Sequence, residues 1–231
     1  LPRDAQYKKE DALLRMGAGM KMKDCFSVAC VQSLLMIGML VLGARTFAQE
    51  KSSPVSVRIE TEAGNIIAEL YPDKAPATVA NFLRYVDGGF FSGGCFMRTV
   101  RPDNEQNPVK IQVIQAVVHP WKENNSFPPI ALERTSVTGI RHVDGAISMA
   151  RSEPNSATSS FFICIGDQPE LDFGGKRNPD GQGFAAFGRV TEGMDIVRRI
   201  QKSRAEGQAL VPLVRIIAIV RIAAEKPSQP R

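Results

Sequence analysis

The sequence contains no CxxC, no GxSxG and no GK[ST], and histidine occurs only at His119 and His142. The first absence removes a thiol redox motif, and the second the nucleophile elbow of a hydrolase. The glycines at 174, 175, 181 and 183 carry neither a phosphate-loop lysine nor a GxGxxG at a strand-to-helix junction, so they read as turn residues. Neither histidine has Cys or carboxylate partners at ligand spacing, so no metal site is expected, and no Ser-His-Asp set is visible. There is one long apolar run, Phe26–Gly43. A basic stripe with interleaved aromatics is also missing after residue 48. The chain's net charge of +5 is concentrated in its leader, where residues 1–48 hold seven Lys/Arg against four Asp/Glu. The remainder has no strong electrostatic footprint for DNA or RNA, so no nucleic-acid partner is expected.

What is present begins with that leader. Lys21 and Lys23 precede Phe26–Gly43, and Thr46-Phe47-Ala48 follows as a small-x-Ala cleavage site. This is the pattern of a secretory signal. The rival is an anchor helix, for which eighteen residues with Gln32, Ser27 and Ser33 are marginal. The expected organisation is a leader over 1–48, cut near Ala48, a linker over 49–54, one domain over 55–223 and a tail over 224–231. Met16, Met20 and Met22 are each better starts for the signal than Leu1. The product is expected in the periplasm or outside the cell, with no stable membrane insertion after cleavage. Cys95 and Cys164 stay with the domain. Export permits a disulfide, whereas their places inside apolar strand-like runs favour free, buried thiols.

Val55 to Thr61 alternates as a half-buried strand, and Asn65–Tyr71 returns to complete a hairpin. Val79, Phe82, Leu83 and Val86 make one helical face, with Thr78 as the expected cap and Gly88-Gly89 as the stop. Cys95–Val100, Ile111–Val118, Ile147–Ala150, Phe161–Ile165, Phe184–Phe187 and Leu213–Ile222 read as further strands. Residues 121–138 read as irregular connection and 202–210 as a polar linker. A second helix carries Met194, Val197 and Ile200 after a possible cap at Thr191. Closure of such strands removes exposed edges. The predicted fold is therefore a closed eight-stranded antiparallel barrel, all-β-dominated, with two helices capping its ends. Within it, Phe161 and Phe162 must face opposite sides. One belongs to the core; the other meets a second apolar layer or lines a pocket.

Several strand residues are polar beside apolar ones. Arg98 follows Phe96-Met97, and Gln115 follows Val113-Ile114 on the same face as Val113. Met149 and Phe162 offer apolar walls. The order Phe-x-Arg, Gln, Ser-Met-Ala, Ser-x-Phe-Phe-Ile, Leu-Asp and Phe-Gly-Arg-Val, from about Val55 to Ile222, resembles the cyclophilin-type peptidyl-prolyl cis-trans isomerases. The resemblance implies catalysis of X-Pro bond rotation without a cofactor, on proline-containing polypeptides, by a monomer. It implies Arg98 and Gln115 as the catalytic pair. Phe96, Gln112, Val113, Met149, Ala150, Arg151, Ser160, Phe162, Leu171 and Phe184 are implied as substrate-binding residues. The chain departs from the family pattern at Gln112 for an aromatic, Val113 for Met, Ser160 for Gln, Arg151 for Asn and Glu170 where some members carry Trp. Gln112 is expected to make the proline pocket less apolar. The alternative reading is accordingly a proline-peptide binding module or periplasmic chaperone with weak or no isomerase activity.

Overall fold

The computed structural model describes residues 53–222. The leader with its signal and cleavage site, residues 49–52 of the linker, residue 223 and the tail over 224–231 lie outside the described residues. In chain order the elements are β1 (Val55–Thr61), β2 (Gly64–Leu70), α1 (Pro76–Asp87), β3 (Cys95–Val100), β4 (Val113–Val117), α2 (Pro120–Glu123) and α3 (Thr135–Thr138). There follow β5 (Ala146–Met149), β6 (Phe161–Cys164), β7 (Ala185–Glu192), α4 (Met194–Gln201), β8 (Ala205–Glu206) and β9 (Ala209–Ile222). Hydrogen bonding runs β1-β2-β7-β5-β6-β4-β3-β9, and β9 pairs back onto β1. Eight antiparallel strands thus close into a barrel, with β8 as a two-residue hairpin arm on β9.

Closure gives each strand an inner and an outer face, and the pleat assigns residues to them alternately. On β1, Val57 and Ile59 face inward and are fully buried, as are Ile66, Ala68 and Leu70 on β2. The centre of the interior is aromatic. The Phe161 ring meets Phe82 and Phe91 at 5.4 Å each, and Phe96 at 6.1 Å. Both long helices turn apolar faces to this core: Val79, Phe82, Leu83 and Val86 from α1, Val197 and Ile200 from α4.

The helix starts differ from expectation. Thr78 does not cap α1; the carboxylate of Glu133 accepts from Ala77 N at 3.1 Å and Thr78 N at 2.7 Å. A carboxylate at a helix N-terminus satisfies orphan donors and opposes the macrodipole, and one supplied from 55 residues away leaves no local signal. Thr191 does not cap α4 either, because β7 runs on through it to Glu192. Gly193 takes the N-cap at φ 87°, where a Cβ would lie 2.6 Å from Asn65 O, so the turn requires glycine. The span 121–138 holds two one-turn helices, too short to show a period. The span 202–210 is not a linker: Ala205 and Glu206 pair with Leu210 and Ala209.

Cys95 and Cys164 are both free, the first half-buried and the second buried. They lie on β3 and β6 with β4 between them, opposite Val117 and Val113 respectively. Two strand spacings alone are roughly 9–10 Å, beyond the reach of a disulfide. Burial pushes the Cys164 thiol well above its ordinary value, with Asp172 and Asp144 adding to the effect, and burial also raises that of Cys95. A thiol reagent at neutral pH should therefore label native Cys95 ahead of Cys164. Both should label in denaturant without a reductant. Peptide mapping checks this, and a Cys95–Cys164 peptide two mass units light would contradict it.

Candidate functional site

The site lies on the outer face of the barrel wall, across β3, β4, β6 and β5. A β-bulge sets it up. Phe96 faces inward and pairs with Ala116, and strict alternation would turn Arg98 inward too. The register shifts by one residue between Phe96 and Arg98, so that Arg98 pairs with Gln115. Met97 is the extra residue and is itself exposed. The bulge thus re-aims Arg98 from the core to the outer surface, a common use of bulges beside functional sites. Gln115 pairs with Phe162, and Phe162 with Ser148. Directly paired residues share a face, so one row carries Arg98, Gln115, Phe162 and Ser148.

Over this row lies a second, smaller apolar cluster: Val100, Ile111, Val113, Ala146, Phe162, Cys164 and Leu171, with Ala150 and Phe184 packed against it. Between the cluster and Arg98 is a recess of about 220 Å³, below the usual range of whole-ligand pockets and suited to one side chain or ring. Arg98, Gln115, Val113, Ala150, Arg151, Phe162, Leu171 and Phe184 all line it, as the sequence reading expects. The Phe162 and Phe184 rings meet edge to face at 5.3 Å. Arg151 donates both Nη groups to Asp180 at 2.8 and 2.9 Å and its Nε to Gly183 O at 2.8 Å. It thereby ties the loop 174–183 to the barrel beside the recess, and its guanidinium lies 5.2 Å from the centre of the Phe184 ring. That pairing holds the Asp180 carboxyl below its ordinary value.

Four expected residues sit elsewhere. Phe96 and Met149 face the barrel interior and are buried with Phe161, because they have the inward parity of their strands. Ser160 contributes its carbonyl oxygen, which accepts from Ala150 N at 2.9 Å. Gln112 turns away: its Oε1 accepts from Gln201 Nε2 of α4 at 3.2 Å, and Ile111 and Val113 line the recess instead. The expected loss of apolar character at residue 112 is therefore absent from this wall. Ile111, Arg177 and Asn178 also line the recess and were not foreseen. Arg177 pairs with the buried Glu105 at 2.8 Å and donates to Val109 O at 2.8 Å.

Among the described residues, no carboxylate pairs with Arg98. Its Nη1 donates to Gln115 Oε1 at 3.2 Å, and its Nε and Nη2 both donate to Gln208 Oε1, at 2.8 and 2.5 Å. Burial lowers the guanidinium's pKa, the Arg177 charge lowers it further and Glu105 opposes them. Arginine stays protonated regardless. The recess therefore has an apolar floor and three cations in its lining, of which Arg151 and Arg177 are paired to carboxylates and Arg98 has neutral hydrogen-bond partners.

Beneath the floor is a polar chain that sequence reasoning missed. His142, Asp172 and Ser148 are linked, with His142 Nδ1 2.7 Å from Asp172 Oδ1 and Nε2 2.9 Å from Ser148 Oγ. His142 is 1 % exposed and stacks behind Phe162 with ring centres 6.0 Å apart. The arrangement has the residues of a nucleophilic triad, but Ser148 is fully buried and no substrate reaches it. The chain backs Phe162, against which the His142 ring stacks. Thirty residues separate His142 from Asp172, so only the fold reveals the pairing.

This chain gives a pH prediction. Burial pushes the Asp172 carboxyl up, but the hydrogen bonds from the His142 ring and backbone N–H outweigh it, with the His142 and Arg141 charges adding to them. The net pKa falls below the ordinary 3.8. A carboxyl with a lowered folded-state pKa binds fewer protons folded than unfolded. Its contribution is fully present above 3.8 and is lost as pH falls through the folded-state value. Asp172→Asn should lower stability at neutral pH and flatten this part of the acid limb. Urea midpoints measured against pH check it; an unchanged limb in the variant would refute it.

Comparison with known proteins agrees with this geometry. The family described as cyclophilin type peptidyl-prolyl cis-trans isomerase/CLD matches residues 56–221. Peptidyl-prolyl cis-trans isomerase A of Dickeya dadantii is 34 % identical over 171 residues, covering 74 % of this chain and 83 % of that one. The cyp18 isomerase of Streptomyces antibioticus is 33 % identical over 166 residues, covering 70 % and 94 %. Among solved structures, a cyclophilin type isomerase of Cryptosporidium parvum superimposes with a TM-score of 0.61 at 19 % identity. That match covers 74 % of this chain and 99 % of that one. The same protein, in the presence of the dipeptide Ala-Pro, gives 0.59 at 20 % identity. With the barrel, the outer-face recess and the matched span all in agreement, the chain belongs to the cyclophilin-type peptidyl-prolyl cis-trans isomerase family.

Proposed function

We propose that this protein accelerates cis-trans rotation about X-Pro bonds, with the prolyl ring in the recess and Arg98 acting on the twisted amide. The observation that carries the reading is a half-buried guanidinium with neutral hydrogen-bond partners beside the apolar floor of a ring-sized recess. Amide resonance sets a rotation barrier of roughly 18–20 kcal/mol. When the bond is twisted halfway, resonance is lost, the proline nitrogen becomes pyramidal and its lone pair accepts a hydrogen bond. A donor fixed beside that nitrogen is engaged only in the twisted state, so it lowers the barrier without tightening the ground state. Gln115 keeps Arg98 aimed and is available to the substrate carbonyl. Phe162, Leu171, Phe184, Ile111 and Val113 hold the pyrrolidine ring while the acyl side turns. Rotation breaks no σ bond and moves no proton, so the chemistry asks for no cofactor. A 10⁵-fold acceleration needs about 7 kcal/mol, within reach of a charge-assisted hydrogen bond in a dry site together with restraint.

The homologue structure determined in the presence of Ala-Pro supports proline-containing chains as substrates. The alternative, a binding module, was motivated by Gln112, and that motive weakens once Gln112 is paired to α4. A protease-coupled isomerase assay on an Ala-Pro peptide separates the two. Acceleration proportional to enzyme concentration is expected, whereas binding without acceleration would favour the module. The reading extends to exported chains as clients, on the strength of Lys21, Lys23 and the apolar run Phe26–Gly43. N-terminal sequencing should find Gln49 or a near neighbour first, and an intact leader in membrane fractions would remove the export proposal.

A further inference from the structure

We infer that Gln208, in the turn between β8 and β9, is a positioning residue for Arg98. The inference rests on the isomerase reading above and extends it to a residue no motif marks. Gln115 alone holds Arg98 weakly: it takes one bond from Nη1, at 3.2 Å. An arginine held at one end of its fork still swings about its long side chain. Gln208 Oε1 takes the opposite edge, accepting from Nε at 2.8 Å and from Nη2 at 2.5 Å. Two acceptors on separate edges fix the plane of the guanidinium. These contacts use three of its five N–H donors and leave two for a substrate. Both partners are neutral amides, so the fork is fixed without its charge being neutralised.

Gln208 is itself held from several sides. Its carbonyl oxygen accepts from Thr99 N at 2.9 Å, and its Nε2 donates to Asn104 O at 3.3 Å. Asn104 in turn donates from Nδ2 to Gly207 O at 2.9 Å and to Thr99 O at 3.1 Å. The loop after β3 and the β8–β9 turn therefore form one bonded unit behind Arg98. Gln208 is separated from Arg98 by 110 residues. Removing its acceptor should leave the turn intact, because the backbone bonds do not use that oxygen.

The test uses Gln208→Met, which keeps length and loses the acceptor, and Gln208→Glu, which keeps an acceptor oxygen. Isomerase kinetics and the Arg98 Nε–H signal in the nitrogen-15 spectrum are read on the same samples. In the wild-type protein a slowly exchanging Arg98 Nε–H is expected. In Gln208→Met that protection should be lost, and kcat should fall about tenfold or more with KM little changed, the scale of one hydrogen bond to a charged group. Gln208→Glu should retain the protected signal. In an Arg98→Lys background, which lacks the fork, Gln208→Met should cost nothing further in kcat. A Met variant that keeps wild-type kcat, or that loses kcat while the Nε–H stays protected, would overturn the inference and leave the isomerase reading standing. A wild-type protein with a protected Nε–H and no acceleration would instead sink the isomerase reading.

Discussion

Arg98→Ala is expected to lower kcat by about 10²–10³, the cost of removing one donor aimed at a transition state, while peptide affinity changes far less. The reason lies in when the bond forms. In the planar ground state the proline nitrogen's lone pair is delocalised into the carbonyl and is a poor acceptor. Only the twisted amide offers it, so the hydrogen bond belongs to the transition state. Losses in kcat and kcat/KM should then be similar, with KM nearly unchanged. Arg98→Lys should rescue poorly. Lysine presents a point charge without the Nε/Nη2 edge that Gln208 engages, so its ammonium is neither held nor aimed. Steady-state kinetics beside a peptide titration read both effects. Equal losses of binding and turnover would mean that Arg98 binds substrate uniformly, and the proposed role would fall.

How Arg98 reaches its place shows where sequence reasoning succeeds and where it stops. β1 and β2 were legible because they bury one face, β5 and β6, buried on both, because they are short apolar runs fenced by turn residues, and α1 was legible from Val79, Phe82, Leu83 and Val86. Gln115 and Val113 share a face as the period-two pattern requires, and both line the recess. The phase of β3 was not legible. A bulge at Met97 inserts one residue without altering composition, and it decides whether Arg98 points into the core or out of it. The motif resemblance misleads over Met149 and Phe96, since a motif names residues in order but not the side they face, and strand parity turns both inward. Gln112 was misjudged for a related reason. Its partner Gln201 lies 89 positions away, and a polar residue beside a pocket can satisfy itself on the far side. Gln208 and the His142–Asp172 pair were invisible for the same reason: the contacts are made across 110 and 30 residues of sequence respectively, and neither has a local signature.

The adjacent pair Phe161 and Phe162 makes the sharpest separation between fold and site. Both are nearly buried, at 0 % and 5 % exposure, and a burial argument alone would treat their truncation alike. Their surroundings differ. Phe161 lies inside the barrel against Phe82, Phe91 and Phe96, where a deletion leaves a cavity that the closed wall cannot collapse to fill. Phe161→Ala is expected to cost about 3–5 kcal/mol, the range for large aromatic truncations in a core. That is a large share of the roughly 5–15 kcal/mol that holds most domains folded. Phe162 lies on the outer face, with Phe184 edge-on and His142 behind it, and one side opens to the recess. Phe162→Ala should cost less stability, because Leu171 and Phe184 can move into the space. Its main effect should be on the substrate, since the pyrrolidine ring loses its apolar floor and KM rises. Urea unfolding of both variants, with isomerase kinetics on whatever remains folded, distinguishes the two roles. The expected pattern is a folded Phe162→Ala with raised KM and a destabilised Phe161→Ala whose folded fraction keeps near-normal KM. The reverse pattern would place the site inside the barrel and contradict the outer-face assignment.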